Sequence, residues 1–354
     1  MGSIDSYNAI KKLDKGGILD SIIALPEQVD QAFREVTALE IPKEYGSAKN
    51  IVVTGMGGSA LGGRIADSLT LSGLRAPLEV STEISLPKYV NEESLVIVSS
   101  YSGGTAETIA SLKDAIDKKA MIIGVTSGGK LEEILKKEKL PRYVYNPVAN
   151  PSNQPRMGLG YSIISTLTIL AKLSFLTLDE TDILRIVRLM GEAISEFGPD
   201  SPQNKNLAKS LALKLKGKIP VLVASEHLVG IAHAFKNQLN ENSKTFSLLF
   251  DIPEMNHHLL EGLRNPHQAK ELLNFVLLES ELYSEEIKKR YPITRDVIEQ
   301  NGVETSLYKP RGEKKLEQIF EVLVLGSFVS LYLAILNDLD PSPIPWVDYF
   351  KSKL

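Results

Sequence analysis

The segment Ile51-Val52-Val53-Thr54-Gly55-Met56-Gly57-Gly58-Ser59-Ala60-Leu61-Gly62-Gly63 runs from a β-branched stretch through a glycine turn into a helical pattern. Farther on, Leu95-Val96-Ile97-Val98-Ser99-Ser100-Tyr101-Ser102-Gly103-Gly104-Thr105-Ala106-Glu107-Thr108 does the same. Uninterrupted apolar β-branched runs bounded by turn residues mark strands buried on both faces of a parallel sheet. Each glycine–serine loop is therefore expected at the carboxyl end of a strand, where α/β sheets bind ligands. Glycine lets the backbone approach an anion closely, the first N–H groups of the following helix face it, and serine or threonine adds hydroxyl donors. One such loop is weak evidence. Two in succession describe a phosphate cradle, with Gly57, Gly58, Ser59, Ser100, Ser102 and Thr105 as its donors.

The alternation continues outward from these loops. Strands are expected at 50–54, 77–81, 94–99, 120–126 and 142–146, with helices near 59–72, 105–117 and 130–138, after a helix from Pro26 to about Tyr45. Strands separated by helical segments imply right-handed crossovers and a doubly wound sheet. Pro141 to Arg156, with Pro141, Pro147, Pro151 and Pro155, reads as an extended connector. Helical segments at 158–177 and 180–196 follow, then a polar loop from Gly198 to Asn206. A second alternation closes the chain, with strands at 218–224, 244–250, 272–278 and 304–308 and helices at 227–241, 282–289, 313–337 and 346–353. The expected fold class is α/β, with two doubly wound parallel-sheet domains. The first, 1–152, carries the loops; the second, 153–354, carries the connector helices and the other sheet, with no residue-level repeat between them.

Composition narrows the function classes. At 354 residues, 43% hydrophobic and 24% charged, the chain has the make-up of an ordinary globular protein of two domains. A formal charge of -4 argues against a general nucleic-acid binder. The lack of cysteine excludes disulfides, thiolate metal sites and thiol nucleophiles. No apolar signal core is seen in the first residues, and a cytoplasmic location is expected. The apolar stretches Leu159 to Leu178 and Ile319 to Leu336 approach membrane-spanning length, but interspersed polar residues, with Lys172 in the first and Glu321 in the second, favour buried core or dimer helices.

Gly55-Met56-Gly57-Gly58-Ser59-Ala60 also satisfies a dinucleotide fingerprint with alanine last, with Glu79 or Glu83 at a suitable distance for a ribose. A dinucleotide fold has no need of Ser100, Ser102 and Thr105 beside it, and no Gly-Lys-Ser/Thr follows either loop. The pair of loops resembles the sugar isomerase (SIS) domain family, whose Ser-x-Ser-Gly-x-Thr loop binds the phosphate of a sugar phosphate. Within it the chain is similar to the archaeal-type bifunctional phosphoglucose/phosphomannose isomerases. Further landmarks carry the resemblance over most of the length: Asn153-Gln154-Pro155-Arg156, Lys236-Asn237-Gln238-Leu239-Asn240-Glu241-Asn242, Pro253-Glu254-Met255-Asn256-His257-His258, and an Asp-Pro segment before a terminal lysine helix.

The resemblance implies two flavodoxin-like αβα domains and an aldose–ketose isomerase that links glucose 6-phosphate and mannose 6-phosphate to fructose 6-phosphate through an enediolate. It implies that Glu241 moves the proton between C1 and C2, that Arg156 steadies the enediolate, and that His257 and Lys351 open the ring. His257 would reach the site from the neighbouring subunit of a homodimer. His258 is the rival of His257, and Lys353 projects from a different face of its helix than Lys351. The chemistry suits these types: a half-buried carboxylate has its pKa raised toward working pH, a histidine titrates near neutrality, and an arginine stays protonated. No cofactor and no metal is implied, although Glu254, His257, His258 and Glu261 invite a metal reading. A sugar-phosphate-binding regulator and a glucosamine-phosphate-type isomerase of the same domain family are the alternatives; there is no basic amino-terminal DNA reader for the first.

Overall fold

β1 (Asn50–Thr54) and β3 (Ser94–Ser100) are neighbours at the heart of a parallel sheet, and every residue of β3 is buried. The computed structural model describes residues 4–69 and 73–353. With β2 (Leu78–Ser81), β4 (Met121–Thr126) and β5 (Arg142–Val144), the strand order is β2-β1-β3-β4-β5. Thr54 pairs with Val98 on one side and Ser81 on the other, so the loops after β1 and β3 leave the sheet next to each other. Side chains alternate across the sheet. Val52, Val96 and Val98 pack with Ile109 and Leu112 of α5 (Ala106–Asp117) and Leu131 and Leu135 of α6 (Gly129–Lys137). Full burial of each such side chain stabilises the domain by about 1.5–3 kcal/mol. α4 (Gly58–Leu69) packs on α7 (Leu159–Lys172), which also lies along α3 (Leu25–Ala38).

The second sheet, β6 (Ile219–Ala224), β7 (Leu248–Asp251), β8 (Leu273–Leu278) and β9 (Glu304–Tyr308), is parallel with the order β7-β6-β8-β9. Its helices are α9 (Leu207–Leu215), α10 (Val229–Glu241), the short α11 (Leu259–Gly262) and α12 (Ala269–Leu272), α13 (Glu285–Gln300), α14 (Lys315–Leu336) and α15 (Pro345–Lys351). Two short helices near the amino terminus, α1 (Tyr7–Lys11) and α2 (Ile18–Ile23), belong with this sheet. The buried Asp14 carboxylate caps α2 by accepting the N–H groups of Ile18 and Leu19 at 2.8 and 2.9 Å, and α2 packs on α14. α14 is long and apolar enough to cross a membrane by composition, but its apolar window is entirely buried, with α9, α10 and α2 packed against it.

The chain separates into two compact units, Ala24–Arg188 and Met1–Ile23 with Leu189–Leu354. This division differs from the expected one at 152/153, and it falls within α8 (Glu180–Phe197). Gln28 explains where α7 belongs: its buried amide donates to the carbonyls of Ala149 and Met157, both at 2.9 Å, and accepts the N–H of Gly160 at 3.1 Å. The start of α7 is thereby fastened to α3.

Most expected elements stand within a few residues of their observed limits, and four points differ. The helix expected from Pro26 to Tyr45 ends at Ala38, with Leu39 already extended, and Pro42, which disfavours helical backbone at Ile41, keeps it from resuming; a 3-10 turn, Lys43–Ser47, follows. The strand expected from 244 begins at Leu248, since Lys244 takes a φ of 53° and the Thr245 N–H returns to the Leu239 carbonyl to finish α10. The helix expected at 282–289 runs on through Pro292 as α13, held by buried Tyr291, Thr294 and Ile298. α9, capped by the Asn206 side chain, was not expected at all. The end of the helix expected at 59–72 lies outside the described residues.

Candidate active site

In the unit Ala24–Arg188 the strand order reverses between β1 and β3, which opens a crevice at their carboxyl ends. The first loop reaches it through Gly58, where a Cβ would stand 2.8 Å from the Pro155 carbonyl oxygen, so only glycine lets the start of α4 lie against the connector. Ser59 follows, and its Oγ accepts the N–H of Tyr101 at 2.9 Å, joining the two loops directly. In the second loop Ser100 Oγ accepts the Gly103 N–H at 3.1 Å and shares a hydrogen bond with Thr105 Oγ1, also at 3.1 Å. Ser102 Oγ accepts the Gly104 N–H at 3.3 Å. Gly103 has a φ of 64°, and a Cβ there would meet the Gly128 carbonyl at 1.7 Å.

Thr105 stands at the N-cap of α5 but makes no side-chain capping bond. The first-turn N–H groups of a helix without its usual cap are left for another acceptor, and an anion is the natural one. Ser59 and Ser100 are buried, Thr105 is half-buried, and Ser102, Gly57 and Gly104 are exposed. The hydroxyls of Ser59 and Ser100 are thus buried while that of Ser102 is open to solvent. Cavities of about 690 and 820 Å³ in this unit lie elsewhere, around residues 39–48 that precede β1.

Arg156 belongs to the same unit. It sits in a 3-10 turn, Pro155–Met157, and is 2% exposed; its Nη1 donates to Gln154 Oε1 at 2.7 Å. The backbone that carries it is the stretch against which Gly58 packs. The glycine–serine loops and the arginine are therefore built on one backbone contact.

The remaining expected residues lie in the other unit. Glu241 is half-buried in the last turn of α10, a helix bound to α14 by Gln238 Nε2 to Ser327 Oγ at 2.9 Å and Asn242 Nδ2 to Ser330 Oγ at 3.0 Å. Lys244 closes that end of α10, its ammonium donating to the carbonyls of Glu241 and Pro341, both at 2.8 Å. His257 and His258 are exposed in and beside the turn Glu254–His257, and His258 Nε2 is 2.7 Å from Glu254 Oε2. Lys351 is exposed on α15, as is Lys353 beyond it.

Several participants were missed in the sequence. A third loop, Thr126-Ser127-Gly128-Gly129 after β4, buttresses the second: Thr126 Oγ1 donates to the Gly128 carbonyl at 2.8 Å, and the Leu131 N–H to the Gly103 carbonyl at 2.8 Å. Its signal, glycine and serine after a β-branched run, was the one used for the other two. Gln28, Tyr101 and Asn150 had no such signal, since their roles depend on partners remote in the chain.

A parallel αβα sheet with paired serine–glycine loops at its switch point defines a phosphosugar-binding protein of the SIS type. A family model described as the bacterial phospho-glucose isomerase C-terminal SIS domain matches residues 204–354. The chain is 35% identical over 341 residues to a bifunctional phosphoglucose/phosphomannose isomerase of Caldicellulosiruptor bescii, covering 95% of this chain and 98% of that one. A protein of the same description from Aquifex aeolicus is 29% identical across 89% of this chain and 93% of its own. Among solved structures, a hypothetical protein from Thermus thermophilus superposes with a TM-score of 0.72 at 17% identity, covering 97% and 90% of the two chains, and shows the shared fold. The chain belongs to the bifunctional phosphoglucose/phosphomannose isomerase family.

Proposed function

We propose that the chain is an aldose–ketose isomerase converting glucose 6-phosphate and mannose 6-phosphate to fructose 6-phosphate and back. The observation that carries this reading is the Ser59 Oγ to Tyr101 N–H bond, 2.9 Å, which joins two phosphate-type loops beside the connector bearing Arg156. A phosphate gripped there fixes one end of a six-carbon chain. Gly57, Gly58, Ser59, Ser100, Ser102 and Thr105 form the grip, with the α5 amino terminus adding the helix dipole.

The chemistry follows from the remaining residues. His257 donates a proton to the ring oxygen as the bond from that oxygen to the anomeric carbon breaks, and Lys351 bears on the anomeric hydroxyl, which gives up its proton to solvent water to leave a carbonyl. Glu241 removes the proton from C2 of the open aldose, and the electron pair moves to form the enediolate between C1 and C2. Arg156 stabilises the oxyanion charge, worth about 2.7–4 kcal/mol for a well-aimed donor. Glu241 then returns the proton to C1 while the C2 hydroxyl proton passes to O1, giving the ketose. Glucose and mannose forms differ only at C2, so one base that reaches C2 in either configuration leads both to the same enediolate. The active form is a homodimer in which His257 serves the neighbouring subunit's site, and the enzyme works in the cytoplasm without cofactor or metal.

A coupled assay tests the reading, with fructose 6-phosphate detected from each hexose phosphate in the presence of a chelator. Formation from both is the expected result; no product from either overturns the reading.

A further inference from the structure

Tyr101 lies between the two serines of the second loop, and all of its polar atoms are engaged. Its N–H donates to Ser59 Oγ at 2.9 Å, and its carbonyl accepts the N–H and hydroxyl of Ser127 at 3.2 and 2.6 Å. Its hydroxyl accepts from Asn150 Nδ2 at 2.9 Å and donates to Asn153 Oδ1 at 3.2 Å. The residue is 7% exposed, and its ring meets Tyr145 edge-on at 5.9 Å and lies so close to Gly158 that a Cβ there would come within 2.7 Å of it.

Asn150 carries the linkage onward. Its amide also donates to the Gln154 carbonyl at 3.0 Å, its Oδ1 accepts the Ser152 hydroxyl at 2.9 Å, and Gln154 Oε1 accepts Arg156 Nη1 at 2.7 Å. Hydrogen bonds together with the covalent frames of Tyr101 and Gln154 therefore link Ser59 through Tyr101, Asn150 and Gln154 to Arg156, within one unit; Asn150 holds the Gln154 backbone and the Gln154 side chain meets the guanidinium. Asn153, at a φ of 51°, holds the connector in the left-handed turn that brings its carboxamide to the Tyr101 hydroxyl.

We infer that Tyr101 is a positioning residue for the isomerisation: its hydroxyl sets the register between the phosphate grip and the Arg156 guanidinium. The inference rests on the proposed role of Arg156. The distance from C6 phosphate to C1 and C2 of an open hexose is limited by the sugar, so the cation must be held at a matching distance from the loops. A long arginine side chain has many rotamers, and Gln154, whose backbone Asn150 holds beside Tyr101, accepts its guanidinium in one of them. The cradle itself needs only the backbone and ring of Tyr101, which phenylalanine retains. Loss of the hydroxyl should therefore act on turnover and leave phosphate binding alone.

The test is a kinetic cycle on the full chain with Tyr101→Phe, Arg156→Lys and the double variant. It reads kcat and KM for fructose 6-phosphate and the inhibition constant of inorganic phosphate, which occupies the grip alone. Tyr101→Phe is expected to lower kcat about tenfold while the phosphate constant stays within about twofold, and in the Arg156→Lys background to add no more than about twofold. Asn150→Ala cuts the same linkage from the connector side and should repeat the split, which keeps the test open if one variant fails to fold. An unchanged kcat, a phosphate constant that rises in step with the loss of kcat, or independent multiplication of the two single effects would overturn the inference. Full turnover by Arg156→Lys and Arg156→Ala alone would instead remove the arginine from the mechanism, and this inference with it.

Discussion

The two sheets share a strand order at their switch points, β2-β1-β3-β4 in one and β7-β6-β8-β9 in the other, yet their carboxyl ends are finished differently. After β1 and β3 the chain has glycine and serine, and donors remain at the surface. After β6 and β8 the corresponding ground is filled by side chains. Tyr283 OH accepts the Ser225 N–H at 3.2 Å and donates to the Leu278 carbonyl at 3.0 Å, while Tyr291 OH donates to Ser225 Oγ at 3.3 Å. His227 and Ser280 both meet Gln318 Oε1, at 2.9 and 2.6 Å. Topology makes a crevice; the residues decide whether it holds a ligand or the protein's own aromatic rings. On the proposed reading, one unit grips an anion and the other supplies proton-transfer groups from helix ends and turns.

This contrast yields graded predictions. Glu241→Gln should lower kcat for fructose 6-phosphate by about 10²–10⁴-fold while the inhibition constant of inorganic phosphate stays unchanged. A parallel loss of phosphate affinity would show that the division of labour is wrong.

The filled crevice should reveal itself through acid. Burial lowers the His227 pKa from 6.5 to about 4, so between those values the unfolded chain binds the extra proton. Stability from this residue is then complete above about pH 6.5 and falls as the pH drops toward 4, by up to about 3 kcal/mol. Thermal unfolding at pH 7 and pH 4.5 should show a steeper acid loss in the parent than in His227→Gln; equal slopes would exclude His227 as the source.

Gly58→Ala probes the contact between grip and connector. Its Cβ meets backbone rather than a movable side chain, so a destabilisation of about 1–3 kcal/mol is expected by denaturant unfolding, with weaker phosphate inhibition. An unaltered midpoint would mean the connector yields. Thr105→Val, nearly the same in shape, should raise KM about tenfold with little change in kcat. If kcat falls and KM does not, the hydroxyl serves the chemistry and not the grip.

Much of this contrast was readable from the sequence because it rests on local patterns. A β-branched run ending in glycine and serine needs no distant partner to be interpreted, and β1, β3 and their loops stand where that pattern put them. The tyrosine fill of the second crevice was not readable. Tyr283 and Tyr291 take their meaning from Ser225, which is far away in the chain. The same applies to Gln28, whose contacts with Ala149 and Met157 assign α7 to the first unit against a boundary suggested by prolines. The helix expected at 282–289 runs on past Pro292, since packing of Tyr291 and Ile298 outweighs one missing N–H. Glu241, His257 and Lys351 came from resemblance, because a carboxylate at a helix end or a surface lysine carries no chemistry in its spacing alone.

Helix α2 has a consequence for synthesis. Its buried Ile18, Leu19 and Ile22 belong to a unit whose other part begins at Leu189, with the entire loop-bearing unit inserted between. On the ribosome this segment emerges well ahead of its partners and must wait, its apolar face uncovered, until α14 has been translated. The inserted unit can meanwhile complete its own sheet, since domains fold as units while translation proceeds. A nascent chain halted before α14 should thus contain a finished loop-bearing unit tethered to an unfolded segment around α2, a species open to chaperone capture there.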